Sequence, residues 1–336
     1  MANSPTEFDA LRTFGTINDG EAMTKENQHT VSKFYLKGFL RPGEKFLRCY
    51  PTDGGRDNRV SPKKATVESH FYSFLTEEGD WDDSLEDRLE TVETMSAPVV
   101  KRLAAGIRPS PEDRFLSSFF IALTMQRVVP AVNAVDTHKG TFESVEVVER
   151  CVDRERERLE QQFSAAQIED FLQTSRELGV GVSLGEKFPL HGLLLRAWNL
   201  AEQIASMKWA VATVPSGAEF VTSDAPVVCR NSKNLLDQSY VPFGRRDLNA
   251  ELTFPLNQTA MLIADWQSRK LFRVKRVESP EVDSLNTRTV LGADRFVFAS
   301  TRRDSIRKLI SQFGSQKIDA PPVPTLFPEM LASHHD

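Results

Sequence analysis

Trp209-Ala210-Val211-Ala212-Thr213-Val214 is the stretch at which the chain changes character. Upstream of it, apolar residues recur at three- and four-residue steps, the helical period. From Trp209 onward, short apolar runs alternate with turn residues, over 209–214, 219–222, 226–229, 252–256, 260–266 and 271–277. Val, Ile, Phe, Thr and Trp dominate these runs, and such side chains suit a pleated, half-buried surface. Pro215-Ser216-Gly217 supplies a turn after the first run. Helices first and strands second predict an α+β fold: a mainly helical N-terminal part packed on a mainly antiparallel sheet formed chiefly by the C-terminal half.

Beyond the strand runs, the pattern predicts a helix over 280–291, a strand over 295–299 and a last helix over 303–313. Pro321, Pro322 and Pro324 then open a tail, 315–336, expected to be flexible. Upstream, Leu85, Leu89, Val92, Val99 and Leu103 predict a helix from Ser84 to Leu103, which Pro98 should kink or split. Pro111 opens a helix that Pro130 closes, with Phe115, Phe119, Ala122 and Met125 as its core stripe. Residues 143–178 read as a long helical region, charge-laced over 150–160, with a break near Ser164. A further helix is expected over 188–207. Phe46 to Tyr50 reads as a short strand and is a candidate to join the sheet. Residues 1–24 read as a flexible arm. The organisation expected is one α+β domain over 25–314, its helical part 83–207 and its sheet part 208–300.

The formal net charge over 336 residues is -5, which excludes a global field drawing the protein onto nucleic acid or anionic lipid. It leaves room for a local basic groove. Cys49, Cys151 and Cys229 are far apart, odd in number and outside any CxxC pair. A disulfide framework or thiolate zinc site is not expected, and a reducing compartment, the cytoplasm, fits. No basic-then-apolar leader and no membrane-length apolar run are visible, so no membrane association is expected.

Chemistry concentrates first in Asn27-Gln28-His29, directly before the aromatic cluster Phe34-Tyr35-Leu36 and Phe39. The aromatics read as anchors. His29 is either a general acid/base or metal ligand, or a buried imidazole bonded to backbone that holds the loop. Glu68 and His70 are two apart and share a face of an extended segment, a spacing that suits two ligands of one cation or an exposed strand edge. Glu86, Glu90 and Glu93 form one acidic stripe on the Ser84 helix. Such carboxylates hold Mg²⁺ or Mn²⁺, share a proton, or make a solvated face. Arg127 caps a helix C-terminus, clamps a phosphate, or pairs internally with Glu86 or Glu93. Thr222-Ser223-Asp224-Ala225-Pro226 joins two strands, and Asp224 there either stabilises its own turn or faces His29 from the strand mouth. No Gly-x-Ser-x-Gly elbow surrounds Ser223, which removes it as a nucleophile. Phosphate-loop, dinucleotide-binding and HExxH patterns are absent from the sequence.

These pieces occur in order with Glu68, Phe71-Tyr72, Leu85-Glu86, Glu93, Gln126-Arg127, Phe254-Pro255-Leu256, Asn286 and Ala293-Asp294-Arg295-Phe296-Val297-Phe298-Ala299. The ordered set, spanning roughly 27–299, resembles the family termed domain of unknown function 4238. The family pattern carries a proline three residues after the histidine, where this chain has Ser32. The resemblance singles out Glu86 and Glu93 from the acidic stripe and implies no particular activity.

The site expected on this basis joins His29, Arg127 and Asp224 as catalytic groups with Glu86 and Glu93 as ligands of Mg²⁺ or Mn²⁺. Its chemistry would be metal-assisted phosphoester or phosphodiester hydrolysis in a defence or stress setting, on a small phosphorylated ligand or nucleic acid. The alternatives are a non-catalytic binding or scaffold module whose polar residues form a structural network, and a metal-independent transferase acting on a nucleotide-like ligand.

Overall fold

The computed structural model describes residues 27–69, 74–75, 81–82, 84–127, 152–153, 156, 160, 164–178, 188–231 and 248–314. The Trp209 run forms strand β7 (Lys208–Thr213), which is internal to a five-stranded sheet. Its neighbours are β11 (Ala260–Asp265), then β10 (Ala250–Asn257) and β9 (Val228–Asn231) on one side, and β12 (Phe272–Arg276) on the other. All pairings in this sheet are antiparallel except β12 with β7. β7 is apolar at successive positions because both faces of the sheet are covered. Trp209 and Val211 face one core with Leu252, Phe254 and Leu262. Ala210 and Ala212 face another with Met261, Ile263, Val282 and Leu285.

The first core is closed by helices α1 (Lys33–Lys37), α2 (Ser84–Ala104), α3 (Pro111–Gln126) and α5 (Phe188–Ser206). Helix α4 (Ala165–Leu178) starts directly after Ser164, at the expected break. Ser164 and Gln167 bond reciprocally there, as in a capping box. Of the rest of the expected long helix only Val152, Asp153, Arg156 and Glu160 are described, and Cys151 lies outside the described residues. The second core is closed by α6 (Ser279–Gly292). Arg114 of α3 locks helix to sheet: it donates to the carbonyls of Ala205 and Met207 and lies over the Trp209 ring at 4.1 Å.

A second sheet has the order β3 (Asn58–Val60), β2 (Leu47–Pro51), β13 (Phe296–Ala299), β8 (Thr222–Ser223). The expected strand near Phe46 thus joins a sheet, but a separate one from the Trp209 run. Helix α7 (Asp304–Phe313) places Ile306 and Ile310 against its Tyr50, Val297 and Ala299. Tyr35 connects the two sheets, stacking on Phe254 at 4.9 Å while its hydroxyl bonds Thr222 at 2.7 Å. Two short ribbons complete the described strands, β1 (Asn27–His29) with β4 (Val67–Ser69) and β5 (Phe74–Leu75) with β6 (Trp81–Asp82).

Two prolines show how the fold absorbs a missing donor. Pro255 sits within β10, but pairing with β9 ends at Thr253 and the register against β11 shifts between Pro255 and Asn257. Of the two outcomes expected at Pro98, a kink or a split, the split does not occur; one helix runs through it. Pro98 is exposed, so its ring faces solvent. Having no N–H, it leaves the carbonyl of Thr94 without its partner four residues on.

Candidate functional site

β1 carries His29 because its register with β4 sets His29 opposite Val67 and Gln28 opposite Glu68. The backbone continues this ribbon with Thr30 N–H donating to the Thr66 carbonyl at 2.9 Å. The ribbon faces the N-terminal half of α2 across a cavity of about 880 Å³. His29, Lys33, Phe34, Lys63, Lys64 and Val67 line one side, and Glu86, Glu90, Glu93, Thr94 and Ala97 line the other. Glu86, Glu90, Glu93 and Ala97 follow one another at steps of four, three and four, and Thr94 follows Glu90 by four, which puts all five on one helix face. Thr94, whose carbonyl Pro98 leaves without a helical donor, belongs to that wall.

The imidazole of His29 is half-buried, with Nε2 3.2 Å from the Lys63 carbonyl. A carbonyl only accepts, so Nε2 carries the proton and Nδ1 is the basic nitrogen. Burial pulls its pKa below 6.5, the Lys63 carbonyl opposes, and Lys33 adds to the lowering. His29 is therefore neutral near pH 7.

Arg127 is almost completely buried, at 2% exposure, and does not line the cavity. It donates to Glu93 Oε1 at 2.6 Å and to the His29 carbonyl at 2.6 Å. Of the roles open to it in the sequence, Arg127 is the C-cap residue of α3, and its guanidinium forms the internal pair with Glu93. It fixes the backbone of His29 and the carboxylate of Glu93 from behind.

Asp224 is not brought to the cavity, which corrects the expectation that it faces His29. Its carboxylate turns onto β13 and accepts the backbone N–H groups of Asp294, Arg295 and Phe296 at 2.9, 2.7 and 3.0 Å. Within the turn it is Ser223 Oγ that accepts the Ala225 N–H, so the side chain stabilising the turn locally is that of Ser223, while Asp224 fastens the turn to a distant segment. Burial raises the Asp224 pKa to about 6 against the opposing pull of the Arg295 N–H.

Glu68 pairs with Arg295 across the ribbon's outer side and is not on the cavity wall. His70 lies outside the described residues. Among the described residues, no group of three or more His, Cys, Asp and Glu side chains is arranged to hold a metal ion. Cys49 and Cys229 are buried, and burial pushes the Cys49 thiol up to about 12, far from a reactive thiolate.

Sequence reasoning missed Lys33, Lys63 and Lys64. Lys33 follows His29 by four residues, and Lys63-Lys64 stand in what reads only as a polar loop. The one signal available was two adjacent lysines just before the β4 segment that carries Glu68.

The chain belongs to the family described as Protein of unknown function (DUF4238), whose model matches residues 27–303. The matched span takes in the whole cavity, Arg127 and the Asp224 turn. No curated protein and no solved structure matches the chain. Among the described residues, no helix is long and apolar enough to cross a membrane.

Proposed function

We propose that the cavity between the β1–β4 ribbon and α2 binds a small phosphorylated ligand and hydrolyses its phosphoester. The observation that carries this reading is the composition of the two walls: a neutral histidine with three lysines on one side, three glutamates on the other. Lys33, Lys63 and Lys64 supply positive charge for a phosphate. A volume near 880 Å³ suits a ligand of about nucleotide size.

His29 Nδ1 takes the proton of the attacking water. The new P–O bond forms as the ester P–O bond breaks, and the leaving oxygen takes a proton from solvent. A preformed three-ligand metal cluster is not required. Mg²⁺ is commonly held by one or two carboxylates together with the substrate's own phosphate oxygens. Glu86 and Glu93, with Glu90 between them on the same wall, are the carboxylates that would share this role, with Mg²⁺ or Mn²⁺ neutralising phosphate charge. The guanidinium of Arg127 holds Glu93 from behind. Arg127 acts as a positioning residue, not as a clamp on phosphate.

The test is turnover on a panel of phosphomonoesters, phosphodiesters and nucleotides, with Mg²⁺, Mn²⁺ or chelator. The expected result is metal-dependent turnover that drops on His29→Ala and on Glu90→Gln while both variants keep their melting temperature.

A non-catalytic reading is favoured by one observation, the burial of Arg127 between Glu93 and the His29 carbonyl. Under that reading the polar residues hold the ribbon to α2 and no more. No turnover and no phosphate binding in any arm would establish it.

A further inference from the structure

β12 is an edge strand of the five-stranded sheet. Leu271 accepts from the Trp209 N–H, and Val277 donates to the Thr213 carbonyl, so odd-numbered residues of this stretch bond to β7. A strand alternates its hydrogen-bonding direction, so Phe272, Val274 and Arg276 aim their N–H and C=O groups at the open edge. Among the described residues, nothing pairs with that edge.

The side chains around it are unusual for a protected edge. Arg269, Lys270, Arg273 and Arg276 are all exposed. Lys275 is the exception, engaged with Glu281 of α6. Charge alone would be edge protection against unwanted pairing. Exposed apolar residues are not. Among the described residues, five large hydrophobics are exposed, and two of them are on this edge stretch, Leu271 on one face and Val274 on the other, with a third, Ile107, in the loop beside Val274. Ile107 arrives through the α2–α3 loop. Gly106, in the left-handed region at φ 75°, packs so closely on Val274 that an added Cβ would lie 3.0 Å from its Cγ2. The result is an edge with exposed apolar and cationic side chains on each face of the sheet, Leu271 with Arg273 on one and Val274 with Arg276 on the other, on a protein of net charge -5.

We propose that β12 is a docking edge for an extended acidic peptide of another protein, which adds as a strand and sets apolar side chains between its carboxylates. Three features select this occupant. The backbone row recognises a strand and has no counterpart on nucleic acid. Arg269, Lys270, Arg273 and Arg276 complement carboxylates on both sides of the added strand. Leu271, Val274 and Ile107 gain cover only from a partner that also carries apolar groups. The site is separate from the cavity and does not depend on its chemistry.

The experiment uses the full chain and a labelled peptide of repeating Glu-Glu-Val-Val, which as a strand puts both residue types on each face, read by fluorescence anisotropy at low and moderate salt. Val274→Pro removes an N–H that points to the open edge and leaves the ladder to β7 whole. An edge strand tolerates such a proline, and Arg273 before it is already extended. The double substitution Arg273→Glu and Arg276→Glu reverses charge on the same edge. The expected result is saturable binding by the wild type, with affinity falling at least about tenfold in each variant at unchanged melting temperature. Equal binding by Val274→Pro overturns the strand-addition geometry. Tighter binding of a single-stranded oligonucleotide or of phosphatidylserine vesicles than of the peptide overturns the choice of partner. Concentration-dependent dimerisation that Val274→Pro abolishes would assign the edge to a second copy of this chain instead. Absence of peptide binding overturns the proposal outright.

Discussion

The His29 ribbon and the Asp224 turn carry similar signals in sequence, an ionisable side chain among small polar neighbours at a strand end. In the fold they are opposites. Asp224 spends both carboxylate oxygens on the backbone N–H groups of Asp294, Arg295 and Phe296, at the entry to β13. His29 gives one ring nitrogen to the Lys63 carbonyl and keeps the other beside a cavity that it shares with lysines and glutamates. The difference teaches that what an ionisable residue can do depends on how many local N–H groups lie within its reach. A carboxylate met by three N–H groups of another segment becomes a fastener between the two. A two-stranded ribbon, whose donors are used across the ladder, leaves its side chains to face outward.

The largest effect that would break this comparison is on Arg127, which stands behind the ribbon. Arg127→Ala leaves Glu93 without its buried partner and the His29 carbonyl without a donor. It should cost about 3–5 kcal/mol in chemical denaturation. A loss below about 1 kcal/mol would show that the ribbon does not rest on this pair.

Asp224→Ala follows, at about 2–3 kcal/mol, since it orphans three N–H groups next to β13. Phosphate binding by the folded fraction should stay unchanged, as the turn does not line the cavity. A variant of full stability that loses binding would reverse the roles of the two regions.

Pro98→Ala sharpens the comparison from the α2 side. It restores the hydrogen bond to the Thr94 carbonyl at an exposed position and should raise stability by about 1–3 kcal/mol. If the carbonyl serves the cavity, ligand affinity should fall as stability rises, a trade measurable by paired melting and titration experiments.

The smallest effects concern titration. Because the folded pKa of His29 lies below 6.5, its contribution to stability is fully present above pH 6.5 and is lost as pH falls through the lowered value. His29→Gln should flatten the acid limb of melting temperature against pH. Asp224 runs the other way. With a folded pKa raised to about 6, its protonated form favours folding at low pH, and that advantage fades as pH rises from about 4 to about 6. Asp224→Asn should remove a decline in that window. The two variants having the same profile would mean that these groups do not differ as described.

Much of the fold was legible in residue patterns because local signals sufficed. The Pro111 start and the 3.6-residue stripe of α3, the apolar runs of β10 and β11, and the break near Ser164 all depend on signals within a few residues. What stayed hidden depends on contacts far apart in sequence. Nothing local to Phe46-Leu47-Arg48 says that β2 pairs with β13, whose Phe298 lies opposite Cys49. The division of the strands between two sheets hid for the same reason. At the site, the pairing of Arg127 with Glu93 was readable as one of three options because charge partners are few. The destination of Asp224 was not readable, since backbone donors leave no mark in a sequence. Lys63 and Lys64 were missed because a lysine in a polar loop carries the same signal whether it faces a cavity or bulk water.

The most direct measurement is phosphoester turnover per folded molecule, in Mg²⁺ near neutral pH, for wild type and His29→Ala side by side. The proposed role of Nδ1 predicts a fall of about a hundredfold or more at matched folding. Equal rates in the two proteins would contradict it and leave the cavity as a binding site without chemistry.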